Sequence, residues 1–246
     1  MALQAAVLEL ADDHLILGHR LSEWCGHAPM LEEDLALPNM ALDLIGTART
    51  LYDYAARLEG QGRSEDDLAF LRVEREYRNL LLCERPNGDF AQTMLRQLYF
   101  AAFMEPYWQA ATGSSDEVIR GVAGKAVKEM AYHIRHAGEW VIRLGDGTEE
   151  SAAKMRAAVE ELHRFTGELF EESDASAAID GSLPRRAEMR AAWDRVIGMV
   201  FAEALLEVPE VRFPQTGGRQ GLHGEQLGHL LAEMQYLQRA YPGATW

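Results

Sequence analysis

Two cysteines in 246 residues leave no disulfide framework. Cys25 and Cys83 read as free thiols of a reducing compartment, so a cytoplasmic location is expected. Positive charge is also scarce. Twenty-four Lys and Arg stand against 39 Asp and Glu, for a net charge of −15, a poor footprint for nucleic acid. No basic cluster reads as a lipid-binding patch. Long apolar runs are missing too: residues 98–104 form one of the longest, against the roughly 18–20 residues that cross a bilayer. Neither nucleic acid nor membrane is therefore an expected partner. The N-terminus lacks a basic segment ahead of its apolar residues and meets Asp12 and Asp13 at once, unlike a secretory signal. Strand-forming residues are few, with 11 Val, 7 Ile and 8 Thr against 35 Ala, 31 Leu and 26 Glu. That balance favours an all-α protein.

Several chemical signatures are absent. There is no phosphate-binding Gly-x-x-x-x-Gly-Lys-Ser/Thr or Gly-x-Gly-x-x-Gly, and no Gly-x-Ser-x-Gly elbow. His27 follows Cys25-Gly26, but a packed cysteine and a helix C-terminal histidine explain the pair better than a nucleophile does.

Period and caps predict seven or eight helices. The first covers residues 3–24, with Leu10, Leu17, Leu21 and Trp24 on one line. The second ends near Glu59, at Gly60 and Gly62. Pro38 sits either in its first turn or inside a helix begun near Glu32. Ser64 and Asp67 open a third helix that ends before Arg85-Pro86-Asn87-Gly88. Asp89 caps a fourth, to about Ala111, with Pro106 inside it. Ser115 caps a fifth, to about Leu144, and Thr148 opens a sixth, to about Glu172. Residues 173–184 read as a loop, 184–207 as a seventh helix, 208–222 as irregular and 223–241 as a last helix. Helices of more than 20 residues exceed about 30 Å in length, and such helices with short connections pack as antiparallel bundles. The first, second, fourth and fifth are expected to form a four-helix core, flanked by the others in one domain over residues 1–246.

Three long helices carry polar groups where a plain bundle would have leucine. Asn39, Asp43, Thr47 and Thr50 share a face of the second helix. Glu129, His133, His136 and Trp140 share a face of the fifth. Asp13 and Arg20 fall on the apolar line of the first. A bundle that holds two irons needs an inward Glu from each of two helices and an inward Glu-x-x-His from each of the other two. The chain has one Glu-x-x-His, Glu160–His163. Met155, Val159, Leu162, Thr166 and Leu169 mark the buried face there, and Glu160 points away from it. On the fifth helix, Glu129 and His133 are one residue too far apart, and His133-x-x-His136 has no carboxylate in register. The inner side of the fourth helix offers Thr93, Arg96, Gln97, Phe100 and Met104. Asp43, Arg20, Glu129 and His133 are therefore expected to form a buried polar network, closed by hydrogen bonds. Asp43, Glu129, His133 and His136 are the candidates for a vestigial site. Trp108, Trp140 and Trp193 are candidate aromatic anchors for a partner.

Several ordered stretches carry a family resemblance. Leu21-Ser-Glu-Trp-Cys-Gly-His-Ala-Pro29 is followed by Glu32-Glu-Asp-Leu-Ala-Leu-Pro-Asn-Met-Ala-Leu-Asp-Leu-Ile-Gly46. Then come Arg85-Pro-Asn-Gly-Asp-Phe90 and a stretch from His133 to Ser151. Gly217-Gly-Arg-Gln-Gly-Leu-His223, Leu230-Leu-Ala-Glu-Met-Gln235 and Pro242-Gly-Ala-Thr-Trp246 complete the set. Together they resemble the C subunits of bacterial ring 1,2-phenylacetyl-CoA epoxidases, also called phenylacetyl-CoA monooxygenases, over nearly the whole chain. Pro38 departs from the alanine expected in relatives and bears only on the helix start. The resemblance implies a ferritin-like fold and a non-catalytic, structural role in aerobic phenylacetate degradation. It implies pairing with a related A subunit that holds the di-iron centre, a B subunit that bridges such cores, and a separate NADPH-driven reductase. No cofactor is expected on this chain, no metal ligand is carried over to it, and a homodimer of the isolated chain is a further expectation.

Overall fold

The computed structural model describes residues 1–179 and 181–244. Asp180, in the expected 173–184 loop, and Thr245 and Trp246, in the C-terminal motif, lie outside the described residues. The order is α1 (Ala2–Ser22), α2 (Leu31–Glu59), α3 (Glu65–Phe70), α4 (Leu81–Glu84), α5 (Phe90–Ala111), α6 (Glu117–Gly145), α7 (Glu149–Leu162), α8 (Asp174–Ala177), α9 (Arg190–Glu203), α10 (Glu225–Met234) and α11 (Tyr236–Ala240), with short 3₁₀ turns between some of them. Among the described residues there is no strand, and no helix is long and apolar enough to cross a membrane.

The caps explain most boundaries. Asp89 and Gln92 form a reciprocal capping box at the start of α5. Thr148 accepts from the Ser151 amide at the start of α7. Gly60, at φ 68°, ends α2 in the left-handed region where glycine carries no Cβ cost. Asp116, one residue beyond the expected Ser115, caps α6 by accepting from Ile119. Pro38 lies inside α2, past its first turn.

α1 packs along α2, and α5 along α6; the two hairpins meet where α2 faces α6. The expected four long helices are thus the bundle. α1 and α2 approach closely at Gly18, where a Cβ would sit 2.8 Å from Ile45 Cγ1. Large rings fill the space between the hairpins: Phe100, Trp108 and Tyr107 are essentially inaccessible. Trp108 and Trp193 are core residues, at 0% and 2% exposure, so neither is available as an anchor for a partner. The Nε1 of Trp193 donates to the Tyr99 carbonyl at 3.0 Å, which fixes α9 on α5.

The third expected helix is the largest departure. α3 stops at Phe70, and residues 71–80 are irregular apart from one turn at Glu74–Glu76. The cause is a set of buried carboxylates on α1 that claim this segment's donors. Asp12 Oδ2 accepts from the Arg78 amide at 2.8 Å, and Asp13 Oδ1 accepts from the Leu80 amide at 2.7 Å. The Arg72 guanidinium donates to both oxygens of Asp12. A helix through 71–80 would use those amides internally and leave the carboxylates unpaired in the core.

The same device ties in the distant C-terminal half. Glu9, Asp12 and Asp13 each pair with an arginine from elsewhere in the chain: Arg186, Arg72 and Arg219. All six side chains are buried. Three further helices differ from expectation, the seventh being only Arg190–Glu203 as α9. The α7 helix gives way to 3₁₀ geometry over His163–Phe170, and the last helix breaks between α10 and α11 at Gln235. The Gln235 amide group donates there to the Arg72 carbonyl and to the Tyr77 hydroxyl.

Candidate functional site

The polar stripes of α2 and α6 meet at the seam between the two hairpins. His133 is fully buried on α6. Its Nε2–H donates to Asp43 Oδ2 on α2 at 3.2 Å, and its Nδ1 accepts from the Gln97 side-chain amide on α5 at 3.0 Å. One imidazole therefore links three bundle helices, with both ring nitrogens engaged. Glu129 flanks this chain of bonds, one turn before His133. Its Oε1 pairs with Lys125 at 2.7 Å. Its Oε2 is buried and, as a carboxylate oxygen, has no hydrogen-bond donor.

Burial raises the Glu129 pKa, and the nearby Asp43 charge raises it further, against the pull of Lys125. For Asp43, partial burial works upward, but the hydrogen bond from His133, helped by Glu129 and the Lys125 charge, outweighs it and the pKa falls. The two carboxyls are thus shifted in opposite directions, Glu129 up and Asp43 down.

His136 does not join this cluster. Its Nε2–H donates to Glu33 Oε2 on α2 at 2.8 Å, forming a second pair across the same seam. Arg20 does not join either. It is committed to the carbonyls of Glu84 and Gln226 and to the Glu23 carboxylate. Its position facing α4 and α10 removes it from the expected network. Asn39 and Thr50 extend the α2 stripe only outwards, whereas Thr47 is buried. Glu160 faces solvent.

The donor set does not suit a di-iron centre. At the bundle centre, α5 presents the neutral Gln97, and His133 has no ring nitrogen to spare. On α1 the buried His14 donates through Nδ1 to the Leu10 carbonyl at 2.7 Å and packs edge-on against Phe100. Among the described residues, no group of three or more His, Cys, Asp or Glu is placed to hold a metal ion.

Two kinds of buried histidine result. His14 is held neutral: burial lowers its pKa to about 4, and its Nε2 has no partner. His223 is pushed the other way, toward its charged form. Its Nδ1 lies 2.7 Å from Glu84 Oε2 and its Nε2 3.0 Å from the Tyr77 carbonyl, so both nitrogens donate. Burial opposes that charge, but Glu84 and the carbonyl outweigh it, and the pKa is raised. For His14 the unfolded chain takes up a proton near pH 6.5, and the folded chain does not until about pH 4. Acid therefore favours unfolding through that window. Replacing His14 by Met is expected to shift the unfolding free energy, relative to the parent, by about 2 kcal/mol in the variant's favour between pH 7.5 and pH 5. Urea titrations at the two pH values measure it. An unchanged difference would mean that His14 is already charged in the fold.

Sequence reasoning did not find Glu9, Asp12, Glu84 or Glu168, which look like ordinary helix-surface acids in a chain with 39 acidic residues. Glu168 accepts from three backbone amides: Leu81 at 2.8 Å, Gly217 at 2.9 Å and Gly218 at 2.7 Å. The Gly217–His223 motif is thereby accounted for. Gly217 and Gly221 have positive φ, and a Cβ on Gly218 would lie 2.1 Å from the Asn79 carbonyl oxygen. Arg219 meets Asp13, and His223 meets Glu84.

Comparison with known proteins gives the family. The family described as "Phenylacetic acid catabolic protein" matches residues 1–246. The chain is 47% identical over 246 residues to the C subunit of the 1,2-phenylacetyl-CoA epoxidase of Escherichia coli (strain K12), covering 99% of each chain.

Proposed function

The chain belongs to the phenylacetic acid catabolic protein family, and on that premise we propose that it is the structural, non-catalytic subunit of a phenylacetyl-CoA epoxidase. It pairs with and stabilises a related subunit that carries the di-iron centre, in a cytoplasmic complex completed by a bridging subunit and a reductase. The observation that carries this reading is the state of the bundle centre. The seam of the bundle is occupied by His133, whose two ring nitrogens are taken by Gln97 and Asp43, with Glu129 beside it paired to Lys125. Charge points the same way. A chain of net −15 repels an anionic CoA ester at long range, so the ester's binding groups belong to the partner. Two arginines of the bundle are already committed: Arg20 is buried and Arg49 pairs with Glu65. Unpartnered apolar side chains remain on α2, where Leu35 and Leu42 are 60% and 66% exposed.

The test is co-expression with the di-iron-type subunit. The two are expected to co-purify, and turnover of phenylacetyl-CoA to be lost when this chain is omitted. Iron in this chain alone is expected to be far below one per chain. Two irons per chain, lost on changing Asp43 or His133 to alanine, would instead make this chain an oxygenase or ferroxidase in its own right.

A further inference from the structure

We propose that the outward face of α6 is a docking surface for an acidic helix of a partner subunit. The proposal rests on the reading that this chain works in a complex, and names the surface it uses. Three features of the face converge. The first is charge. α6 carries five basic and three acidic residues, in a chain whose other bundle helices are acidic (α1, α2) or balanced (α5). Lys128 and Arg135 lie on its exposed line. Among the described residues neither has a carboxylate partner; Arg135 only covers the Tyr132 ring, at 5.5 Å. Seven residues apart, the two cations sit about 10 Å from each other along the axis. That is too far to converge on one small anion. It matches acids repeated every seven residues on a facing helix.

The second feature is bare backbone. Gly121 and Gly124 lie exposed in the interior of a 29-residue helix, where glycine is the poorest choice after proline. A Cβ at either position would meet no atom of this chain within 4 Å. Nothing inside the fold asks for these glycines, whereas a partner backbone approaching closely would. The third feature is shape. Beside Gly121 a cleft of about 200 Å³ opens between Thr47 and Thr50 of α2 and Val118 and Val122 of α6, with Lys125 at its edge. It has room for one incoming side chain.

The charge pattern also decides against a second copy as the occupant. An antiparallel two-fold pairing centred on this face would set Lys128 of one copy against Arg135 of the other, and like charges across an interface select against it.

The experiment compares three forms of this chain, each purified with and without the di-iron-type subunit: the parent, Gly124→Leu, and the double variant Lys128→Glu/Arg135→Glu. A Cβ at position 124 meets open space, and leucine replaces glycine in an exposed helix interior, so the thermal midpoint of Gly124→Leu is expected to stay level or rise. Its complex is expected to be lost on size exclusion, and the charge reversal to raise Kd at least tenfold. A Gly124→Leu chain that binds with parental affinity overturns the placement on α6, whatever the charge reversal does. A parent homodimer that these variants dissolve would give the face to a second copy and overturn the stated occupant. A parent chain that does not bind the di-iron-type subunit at all would overturn the functional reading itself, and this proposal with it.

Discussion

Changing Asp13 to alanine is expected to lower the unfolding free energy by about 3–5 kcal/mol, the usual cost of removing one partner of a buried ion pair. Chains of this kind hold only about 5–15 kcal/mol in total, so the urea midpoint should move far to the left, and expression at 37 °C should suffer. Asp13 is completely buried on α1. Its Oδ2 accepts from Arg219 Nη2 at 2.7 Å, and its Oδ1 accepts from Arg219 Nη1 at 3.0 Å and from the Leu80 amide at 2.7 Å. Burial pushes the Asp13 carboxyl above its ordinary range, and Arg219 pulls it back only in part. Removing it strands a guanidinium that is 5% exposed.

The mechanism makes a second variant informative. If the loss comes from the stranded charge, then Asp13→Leu combined with Arg219→Met should be less destabilising than Asp13→Ala alone. Recovery should be incomplete, because the Leu80 amide still lacks an acceptor, worth about 1–3 kcal/mol. A double variant as unstable as the single one would place the cost in lost packing instead.

The bundle was legible in the sequence because its helices announce themselves. Asp89, Thr148 and Gly60 are local signals, and the structure uses each of them as a cap or stop. The cluster of Asp43, Glu129 and His133 was legible for the same reason: residues four apart on a helix share a face, and the two stripes could only meet inside. Segment 71–80 was not legible. Its helical pattern of Leu, Val and charged residues is real, but the competing bonds come from Asp12 and Asp13, about 65 residues away in sequence. The partners of Glu9 and Asp13 lie more than 170 and 200 residues away. No local period encodes such pairings. The nearest sequence signal was indirect, an arginine amid three glycines at residues 217–221, a composition that a bare loop does not need.

The most severe change outside the α1 pairs is expected at Glu168, and two substitutions there should separate its bonds. Its Oε1 accepts from the Gly217 and Gly218 amides, and its Oε2 from the Leu81 amide. The side chain is wholly buried, so Glu168→Ala orphans three backbone donors at once. Each is worth about 1–3 kcal/mol, and a loss of about 3 kcal/mol or more is expected. Glu168→Gln keeps an acceptor oxygen for the two glycines but turns an amino group toward the Leu81 N–H, donor against donor. It should cost only about 1–3 kcal/mol. Hydrogen exchange reads the difference residue by residue. In Glu168→Gln, protection should fall at Leu81 and persist at Gly217 and Gly218. In Glu168→Ala it should fall at all three, and the loosening should spread to Arg219 and its contact with Asp13. Equal protection losses in the two variants would mean that the turn at 217–221 is held by Arg219 and the glycine conformations alone, with Glu168 filling space beside it.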